Sequence, residues 1–481
     1  MSEYYIAPKL ATKSGRHALV IGGSIAGLLA ARVLVNHFDR VTIVERDRLP
    51  EQPGPRQGVP QANHVHVLLT QGQWILEQLF PGLEAELAAC GAPTIDWLAD
   101  WSVLGVWGWE PRFPSGLISR TTSRNLLEWL LRRRLAACDR LQFLEGANVD
   151  GLLTDANKFK VAGVRLRFRA GAATAILIKS WELAADLVVD ATGRNSSMPK
   201  WLAALDYQPP QKTVINSFLG YASRWYQRPD GFFADWKGVE VMFKPPDNGR
   251  GGELYPVEGN RWMVSLGGIG RDYPPNDEAG FLDFARSLRS PLIYEAIKDA
   301  QPLSSIYSYR TTKSRLYHYE KLSRLPEGLV VLGDAACALN PLYGQGMTLA
   351  AIGALTLDEC LHQQFRRDKS NLTGLTKRFQ KQLARVNATP WLMATGEDFR
   401  FATTVGSQPD RMTRLMHQYL DEVLLLSVDH PEIYRTFAEV VHMVKPLKAL
   451  LQPRILAQVL LRTIGIIFWQ SLSYCAGEAA P

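Results

Sequence analysis

HALVIGGSIAGLLAARVLVNHFDRVTIVE, residues 17–45, is the stretch of sequence that is most informative about the fold. It contains an apolar strand (His17–Ile21), a glycine-rich turn (Gly22–Gly27), a helix of small residues and a second apolar strand that ends at Glu45. A strand, a turn, a helix and a strand within about 30 residues have the size of a βαβ unit. The stretch therefore predicts an α/β fold that begins with a Rossmann-like domain on a parallel sheet.

The turn in this unit has the chemistry of a dinucleotide site. Gly22 permits a tight turn, Gly27 allows close helix packing, and Ser24 replaces the middle glycine of the G-x-G-x-x-G pattern. The amides at the helix start, Ile25-Ala26, attract a pyrophosphate, and the Glu45 carboxylate can accept ribose hydroxyls. An acidic residue at that position favours an unphosphorylated ribose.

A second glycine-containing segment lies far along the chain. The apolar strand Leu329–Leu332 leads into Gly333-Asp334, and Gly344–Met347 opens a long helix, Thr348–Gln363. Asp334 follows a strand, where its carboxylate can reach a polyol hydroxyl. The amides and dipole at the helix start suit an anionic partner.

A third segment connects these two. Residues 185–196 form an apolar strand that includes Asp190 and runs into Ala-Thr-Gly, with Gly193 as its glycine. Arg124 stands at a predicted helix start with Ser123 as a candidate N-cap. An arginine at that position can reach phosphate or ribityl oxygens.

These segments, in this order, resemble the FAD fingerprints of the para-hydroxybenzoate-hydroxylase-type (group A) flavoprotein monooxygenases over residues 15–390. Arg56–Leu69 reads R-x-G-V-P-Q-x-x-H-x-H-x-L and looks like the flavin-dependent epoxidases that act on polyene precursors of polyether antibiotics. Phe113-Pro114, Ser123-Arg124 and residues 391–398 are also similar to that group.

The resemblance implies a function. FAD is the expected cofactor, with NAD(P)H as co-substrate and O2 as the oxidant. In this family the reduced flavin forms a peroxide, one oxygen atom enters a lipophilic substrate by epoxidation or hydroxylation, and the other leaves as water. The expected substrate is a polyene, a terpenoid or a phenol. No second nucleotide-binding segment is found in the sequence. We therefore expect NAD(P)H to bind only transiently, or a partner reductase to supply the electrons.

The resemblance also implies roles for individual residues. Those expected to shape the oxygen-activating face of the flavin are Pro341, Gly344, Gln345 and Gly346. Those expected to bind the cofactor are Gly22, Ser24, Ile25, Ala26, Glu45, Arg46, Arg56, His66, Arg124, Asp190, Gly193, Asp334, Gly346 and Met347. His64 and His66 form an H-x-H pair that contacts the flavin region or serves the structure, and no metal site is predicted because a third ligand is missing.

The chain divides into three predicted regions. The FAD-binding domain, which includes a three-stranded crossover, comprises residues 15–96, 119–209 and 309–400; a mixed β-sheet substrate domain comprises 97–118 and 210–308; helices follow at 401–481. Aromatic residues of the second region are expected to line an apolar pocket. They are Trp101, Trp107, Trp109, Phe113, Tyr221, Trp225, Tyr226, Phe243 and Tyr255.

Composition and charge indicate which kinds of partner and which cell compartment to expect. The net charge is +7, but no basic tract of five or more residues and no nucleic-acid motif occur, so no nucleic-acid partner is expected. Five scattered cysteines and a polar start without a signal peptide favour the cytoplasm. Residues 446–475 end in an apolar stretch that predicts a core helix or a peripheral membrane contact.

Three alternative functions have the same fingerprints. A reductase or dehydrogenase of the geranylgeranyl-reductase type, which does not use oxygen, is the principal one. A flavin-dependent halogenase usually carries W-x-W-x-I-P and a catalytic lysine, whereas Trp107–Pro111 matches only W-x-W and no lysine occurs between Lys13 and Lys158. A non-enzymatic flavin sensor needs no large pocket, so the predicted substrate domain argues against this alternative.

Overall fold

A computed structural model describes residues 15–168, 180–368 and 371–462. The strands β1–β19 in these residues are, in chain order, His17–Ile21, Arg40–Glu45, Thr94–Asp96, Trp101–Leu104, Ile118–Arg120, Leu141–Glu145, Ala147–Thr154, Val161–Phe168, Ser180–Ala184, Leu187–Asp190, Lys212–Ile215, Gly220–Gln227, Gly238–Val241, Arg250–Val257, Arg261–Gly268, Tyr307–Tyr309, Ser314–Tyr317, Leu329–Val331 and Cys337–Ala338. The helices α1–α11 are Ile25–Leu34, Thr70–Leu79, Leu83–Ala89, Arg124–Ala136, Met198–Ala204, Glu278–Arg286, Leu292–Ile297, Gly346–Arg367, Leu375–Asp398, Arg411–Ser427 and Pro431–Val441.

A five-stranded parallel sheet forms the centre of the nucleotide-binding part. Its strand order is β18-β10-β1-β2-β6, and every neighbouring pair is parallel. Each residue of β1 is buried, as expected for a parallel strand covered on both faces. Helices α1 and α8 pack on each other within the largest apolar core. The predicted Rossmann-like fold is confirmed.

An antiparallel sheet of three strands, β7-β8-β9, lies between β6 and β10 in the chain. It is the predicted three-stranded crossover, and it returns the chain to the parallel sheet beside β1. The residues between β8 and β9, numbers 169–179, lie outside the described part.

A six-stranded mixed sheet covers the other side of the molecule. Its order is β16-β12-β15-β14-β13-β4, and only the contact of β4 with β13 is parallel. Helices α6 and α7 pack against one face of this sheet through a second apolar core. The sequence predicts a single helix over Phe281–Lys298, but Ser290-Pro291 separates two, because Pro291 has no N–H to donate inside a helix.

The C-terminal helices close over the opposite face of the same sheet. Tyr434 and Ala438 of α11 pack with Trp97, Trp101 and Tyr255 in one apolar cluster. Residues 453–462 are helical, and the end of the chain, 463–481, lies outside the described residues. No helix in the described residues is long and apolar enough to cross a membrane.

Candidate active site

The glycine turn between β1 and α1 is required by close backbone contacts. Gly22 has φ +99°, and a Cβ there would lie 2.7 Å from the carbonyl oxygen of Ala191. A Cβ on Gly27 would lie 1.8 Å from the carbonyl oxygen of Gly22. Ser24 precedes the helix without capping it through its side chain, so the first-turn amides are not used by that hydroxyl. This leaves donors at the helix start for an anionic ligand.

A buried cluster of charges surrounds the turn. The Ser24 hydroxyl donates to Glu128 Oε2 at 2.7 Å and accepts from Arg124 Nη2 at 2.7 Å. Glu128 also pairs with Arg56 at 2.8 Å, and Arg56 reaches Glu45 at 3.1 Å. Burial opposes ionisation of Glu128, but the two guanidinium groups outweigh it and hold the pKa of Glu128 below its ordinary value. Four of the predicted cofactor residues, Ser24, Glu45, Arg56 and Arg124, therefore meet at one place.

The carboxylate of Glu45 is hydrogen-bonded to other residues of the chain. Its carboxylate accepts from the amides of Gly23 at 2.8 Å and Asp47 at 3.0 Å, besides pairing with Arg56. Because each carboxylate oxygen has two lone pairs, acceptor capacity for a ribose hydroxyl is left. Arg46 is exposed and donates to the carbonyl of Gly58 at 3.3 Å.

The Asp190 side chain stabilises the turn that follows β10. Its carboxylate is fully buried and accepts from the amide and hydroxyl of Thr192 and from the hydroxyl of Ser196. Burial raises its pKa, against the effect of these donors. The side chain thus holds the turn at Gly193, where φ is +74° and a Cβ would meet nothing within 4 Å. Direct cofactor contact by the Asp190 carboxylate stays a prediction.

The segment around Asp334 joins the first turn in space. A Cβ on Gly333 would lie 2.8 Å from the Cβ of Ala26, so the two glycine-containing segments touch. Asp334 Oδ2 is 3.3 Å from Arg194 Nε, and its carboxylate is partly exposed. Because Ala26 lies in the first turn of α1, this contact places Asp334 beside the predicted pyrophosphate site.

The loop that leads into α8 has two glycines and one side-chain oxygen without a hydrogen-bond donor among the described residues. Gly344 has φ +62°, and α8 begins at Gly346, where the nearest atom to an added Cβ would be Asp334 Oδ1 at 3.9 Å. In the described residues the buried Gln345 Oε1 has no hydrogen-bond partner. Met347 follows as a buried side chain in the largest core. An open helix start and an orphaned amide oxygen fit a ligand with both acceptor and donor groups.

Asn340 and Asp398 fasten this loop, and the sequence analysis did not assign them to the site. Asn340 Nδ2 donates to Asp398 Oδ1 at 2.8 Å and to the Ser217 hydroxyl at 3.2 Å. The Tyr343 hydroxyl donates to the same Asp398 oxygen at 3.1 Å. Burial raises the pKa of Asp398 to about 6. The signal was present in the resemblance of residues 391–398, but their contact with residue 340 spans 58 positions.

The two histidines of the H-x-H pair have different partners. His64 Nδ1 lies 2.8 Å from the Ser223 hydroxyl, and its ring packs against Tyr221. His66 Nδ1 donates to the carbonyl oxygen of His64 at 2.9 Å. Burial lowers the pKa of His64 to about 4 and that of His66 to about 3, so both are neutral at physiological pH.

An open cavity lies between the six-stranded sheet and Pro341-Leu342, with an empty volume of about 600 Å³ that includes the solvent space at its mouth. Its apolar lining includes Phe243, Tyr221 and Leu219. Phe243 and Tyr221 belong to the aromatic set predicted for the pocket. Trp107 and Trp109 of that set are exposed instead, because they lie in the loop beyond β4 rather than in a strand.

One group of potential metal ligands occurs in the described part of the chain, away from this cavity. Ligand atoms of His37, Asp358 and His362 lie within 4.8 Å of one another. His37 Nε2 and Asp358 Oδ1 are 2.7 Å apart, an ordinary hydrogen bond. The H-x-H pair, His64 and His66, is not part of it.

Comparison with known proteins places the chain in a family. No protein-family model matches it. Protein Rv3254 of Mycobacterium tuberculosis is 31% identical over 425 residues, which cover 88% of this chain and 88% of that protein. The chain belongs to the Rv3254 family.

Solved structures show the fold of this member of the Rv3254 family. They include a flavoprotein/dehydrogenase from Cytophaga hutchinsonii (TM-score 0.63, 15% identity, 95% of this chain and 99% of that chain). The flavin-dependent brominase Bmp2 has a TM-score of 0.61 at 15% identity, with 89% of this chain and 100% of that chain covered. PqsL of Pseudomonas aeruginosa, a probable FAD-dependent monooxygenase, has a TM-score of 0.56 at 18% identity, covering 80% and 98%. The Rv3254-family chain thus has the fold of FAD-dependent monooxygenases and halogenases.

Proposed function

We infer that the chain is an FAD-dependent monooxygenase that inserts one oxygen atom from O2, by epoxidation or hydroxylation, into a lipophilic substrate, with electrons from NAD(P)H. The observation that carries this proposal is the open cavity that Pro341 and Leu342 line beside the start of α8. A predominantly apolar pocket next to a cofactor loop is the arrangement expected for an apolar substrate.

The described residues fit FAD. The uncapped start of α1 would hold the pyrophosphate, with Arg124 and Arg56 as nearby positive charges. Asp334 would accept hydroxyl groups of the ribityl chain. The open amides at Gly346 and the unpartnered Gln345 Oε1 would face the flavin's polar edge.

The protein's contribution to the reaction is orientation and exclusion of water. When bound, FAD supplies the electrons with which O2 is activated, so that one oxygen atom enters the substrate and the other becomes water. The hydrogen bonds from Asn340 and Tyr343 to Asp398 hold the loop that lines the cavity. The apolar lining by Phe243 and Leu342 would exclude water from the bound substrate.

The second candidate is an FAD-dependent reductase or dehydrogenase of the geranylgeranyl-reductase type. The fold shared with the Cytophaga hutchinsonii flavoprotein/dehydrogenase favours it. Halogenation is less well supported, since the exposed loop with Trp107 and Trp109 replaces the expected motif, and no lysine occurs between Lys13 and Lys158.

Oxygen uptake distinguishes these functions. The purified yellow protein would be mixed with NADH or NADPH in air, with and without polyenes, terpenoids and phenols, while O2 consumption and peroxide release are recorded. A monooxygenase shows substrate-stimulated O2 uptake and an oxygenated product labelled from 18O2. Slow reoxidation without an oxygenated product would reject the proposal and favour the reductase, and a dependence on bromide or chloride would favour a halogenase.

The electron source needs a separate measurement. Anaerobic bleaching of the flavin by NADPH or NADH alone, on the time scale of turnover, supports direct reduction. Bleaching that occurs only with dithionite or an added flavin reductase would instead support a partner reductase.

A further inference from the structure

Two glutamates face each other in the wall of the substrate cavity. Glu240 in β13 and Glu253 in β14 are direct partners in the antiparallel register, and both line the cavity. The Cβ atoms of residues directly opposite in an antiparallel pair lie about 4.5–5.5 Å apart. Like charges at such a position are unfavourable, so the pair is costly for the sheet.

Neither carboxyl group has a partner in the part of the chain that the structure describes. In residues 15–168, 180–368 and 371–462, no hydrogen bond or ion pair is found for the side chain of Glu240 or Glu253. Other enclosed carboxylates of this chain are partnered, such as Glu128 by two arginines and Asp398 by Asn340. The cavity glutamates therefore lack a counter-charge that the fold supplies elsewhere.

The groups around the pair do not supply the missing charge. Burial raises the pKa of Glu240 to about 7, and burial together with the Glu240 charge raises that of Glu253 well above its ordinary value. Tyr434 of α11 and Tyr255 of β14 are the neighbouring titratable groups, and burial raises both of their pKa values. Both are neutral, so they leave the acidic pair uncompensated.

The guanidinium group of Arg289, at this end of the sheet, is bound to backbone carbonyls. Arg289 Nη2 donates to Gly105 at 2.7 Å, to Met242 at 2.9 Å and to Leu104 at 3.1 Å. Glu110, the acid beyond Tyr434, has its own donor in the Ser427 hydroxyl at 3.1 Å. No cation of the described residues pairs with Glu240 or Glu253, so a bound ligand can supply that charge.

A row of polar side chains continues from the pair across the sheet. Ser265 of β15 lies opposite Glu253 and also lines the cavity. Its hydroxyl is hydrogen-bonded to Ser223, which in turn contacts His64. Three acceptors, two carboxyls and one hydroxyl, thus lie side by side in a cavity whose remaining lining is largely apolar.

We propose that this cavity selects a substrate with an apolar body and a protonated amine, and that Glu240 and Glu253 hold the ammonium group. An ammonium carries three N–H donors, which matches the three acceptors in the row. Its charge favours the ionised form of both carboxyl groups, which burial and their mutual repulsion disfavour, whereas a neutral hydroxyl can only exchange hydrogen bonds with them. The apolar remainder of the substrate then lies along Phe243 and Leu342.

This inference rests on the proposed function only in treating the cavity as the substrate site. Binding requires no turnover, so it is measured with oxidised holoprotein in the absence of any reductant. The probes are 4-phenylbutylamine and 4-phenylbutanol, which differ in the charged group alone. Binding is followed by isothermal titration calorimetry and by the change in the flavin absorption spectrum.

The amine is expected to bind at least about tenfold more tightly than the alcohol, a difference of about 1.4 kcal/mol. The double variant Glu240→Gln, Glu253→Gln keeps the side-chain shape and removes the charge, so it should lose this preference while it still binds the alcohol. Glu295→Gln, the same change on the outer helix α7, is the matched control and should keep the preference.

The outcomes separate this inference from the proposed reaction. Equal binding of amine and alcohol, or a preference that survives in the double Gln variant, overturns the amine site even if phenols or polyenes stimulate O2 uptake. An amine preference that depends on both glutamates supports the site, even if no oxygenated product is found and the monooxygenase proposal fails.

Discussion

At the residue scale, Asp398 makes the fold sensitive to pH in one direction. Burial raises its pKa to about 6, above the value of about 3.9 for an exposed Asp. The folded state therefore keeps a proton that the unfolded chain releases between these values. This contribution to stability is complete below about pH 4 and is lost as pH rises through about 6, by up to about 3 kcal/mol.

Asp398→Asn removes this titration while keeping an oxygen that can accept from Asn340 and Tyr343. As pH rises from 4.5 to 7, the variant should become more stable relative to the natural protein, so that the difference in free energy of unfolding (variant minus natural protein) increases. Urea unfolding at four pH values in that range measures it. Parallel stability curves would show that Asp398 does not titrate there.

His442 should act in the opposite direction. It ends α11, its Nδ1 lies 3.0 Å from the Thr70 hydroxyl, and its ring is 4.9 Å from that of Trp97. Burial lowers its pKa to about 3, so the unfolded chain takes up the proton first as pH falls below about 6.5. Its contribution is complete above about 6.5 and is lost as pH falls towards 3, by up to about 1.4 kcal/mol per pH unit.

His442→Asn should accordingly lose less stability on acidification than the natural protein. The same urea series, read from pH 7 down to 4.5, gives the difference between the two curves. The expected slope is opposite in sign to that for Asp398→Asn, so each variant serves as the control for the other. Equal signs would contradict the assignment of at least one of the two groups.

At the scale of elements, the packing of α1 on the glycine turn depends on Gly27. Gly27→Ala would place a Cβ 1.8 Å from a backbone oxygen, which cannot move away as a side chain can. We expect a loss of more than about 2 kcal/mol in the free energy of unfolding. Because the displaced helix start forms the predicted pyrophosphate site, the purified variant should also contain little FAD.

Gly353→Ala in α8 is the matched control. Its Cβ would lie 3.4 Å from Leu383 Cδ1, an ordinary contact, and Ala is favoured over Gly in a helix by up to about 1 kcal/mol. Melting temperature and the ratio of flavin to protein absorbance are measured for both variants. If Gly27→Ala retains FAD and has the same melting temperature as Gly353→Ala, the close-contact argument is wrong.

Local patterns predicted the elements better than the contacts between them. The turn at Gly22–Gly27 and the start of α8 were predictable because a few adjacent residues determine them. The segment Trp97–Ile118 is predicted to contribute a strand to the substrate sheet, and β4 is found there beside β13. Within the predicted helical region, the pattern of Asp410–Leu426 predicts one helix, and α10 is found at Arg411–Ser427, within one residue at each end.

The site depended on distances that the sequence does not encode locally. Glu240 and Glu253 become neighbours only through the register of β13 with β14, and a shift of one strand by one residue would send its glutamate to the other face. The pairing of Asn340 with Asp398 needs α9 to return beneath the loop. These contacts follow from the packing of whole elements, which residue patterns alone do not specify.

At the scale of the whole molecule, the described tail is part of a core rather than an appendage. Ala449, Leu450, Ile455 and Val459 are buried with residues of α10 and α11 in one apolar cluster. Leu450→Ala should lower the free energy of unfolding by about 2–5 kcal/mol, because Leu450 is 1% exposed. Leu451→Ala, at a side chain 39% exposed, should cost well under half as much, and equal losses would contradict this packing. Urea unfolding measures both.

The same tail presents an apolar surface on its outer side. In the helical residues 453–462, Leu460 and Leu461 are 59% and 70% exposed, while Ile455 and Val459 face the core. Residues 463–475, the rest of the predicted membrane contact, lie outside the described residues. An amphipathic helix end with exposed leucines is typical of a segment that lies on a membrane surface.

We therefore expect the full-length protein to sediment with vesicles of phosphatidylcholine and phosphatidylglycerol. Replacing Leu460 and Leu461 together by Ser should weaken this binding several-fold, since each buried CH₂ contributes about 0.8 kcal/mol. Stability in urea should hardly change, because neither side chain is in the core. Leu450→Ala provides the reverse control, with lower stability and unchanged vesicle binding by its folded fraction. If the natural protein does not sediment with vesicles, or the double Ser variant sediments equally, the exposed leucines serve another contact and the membrane prediction is wrong.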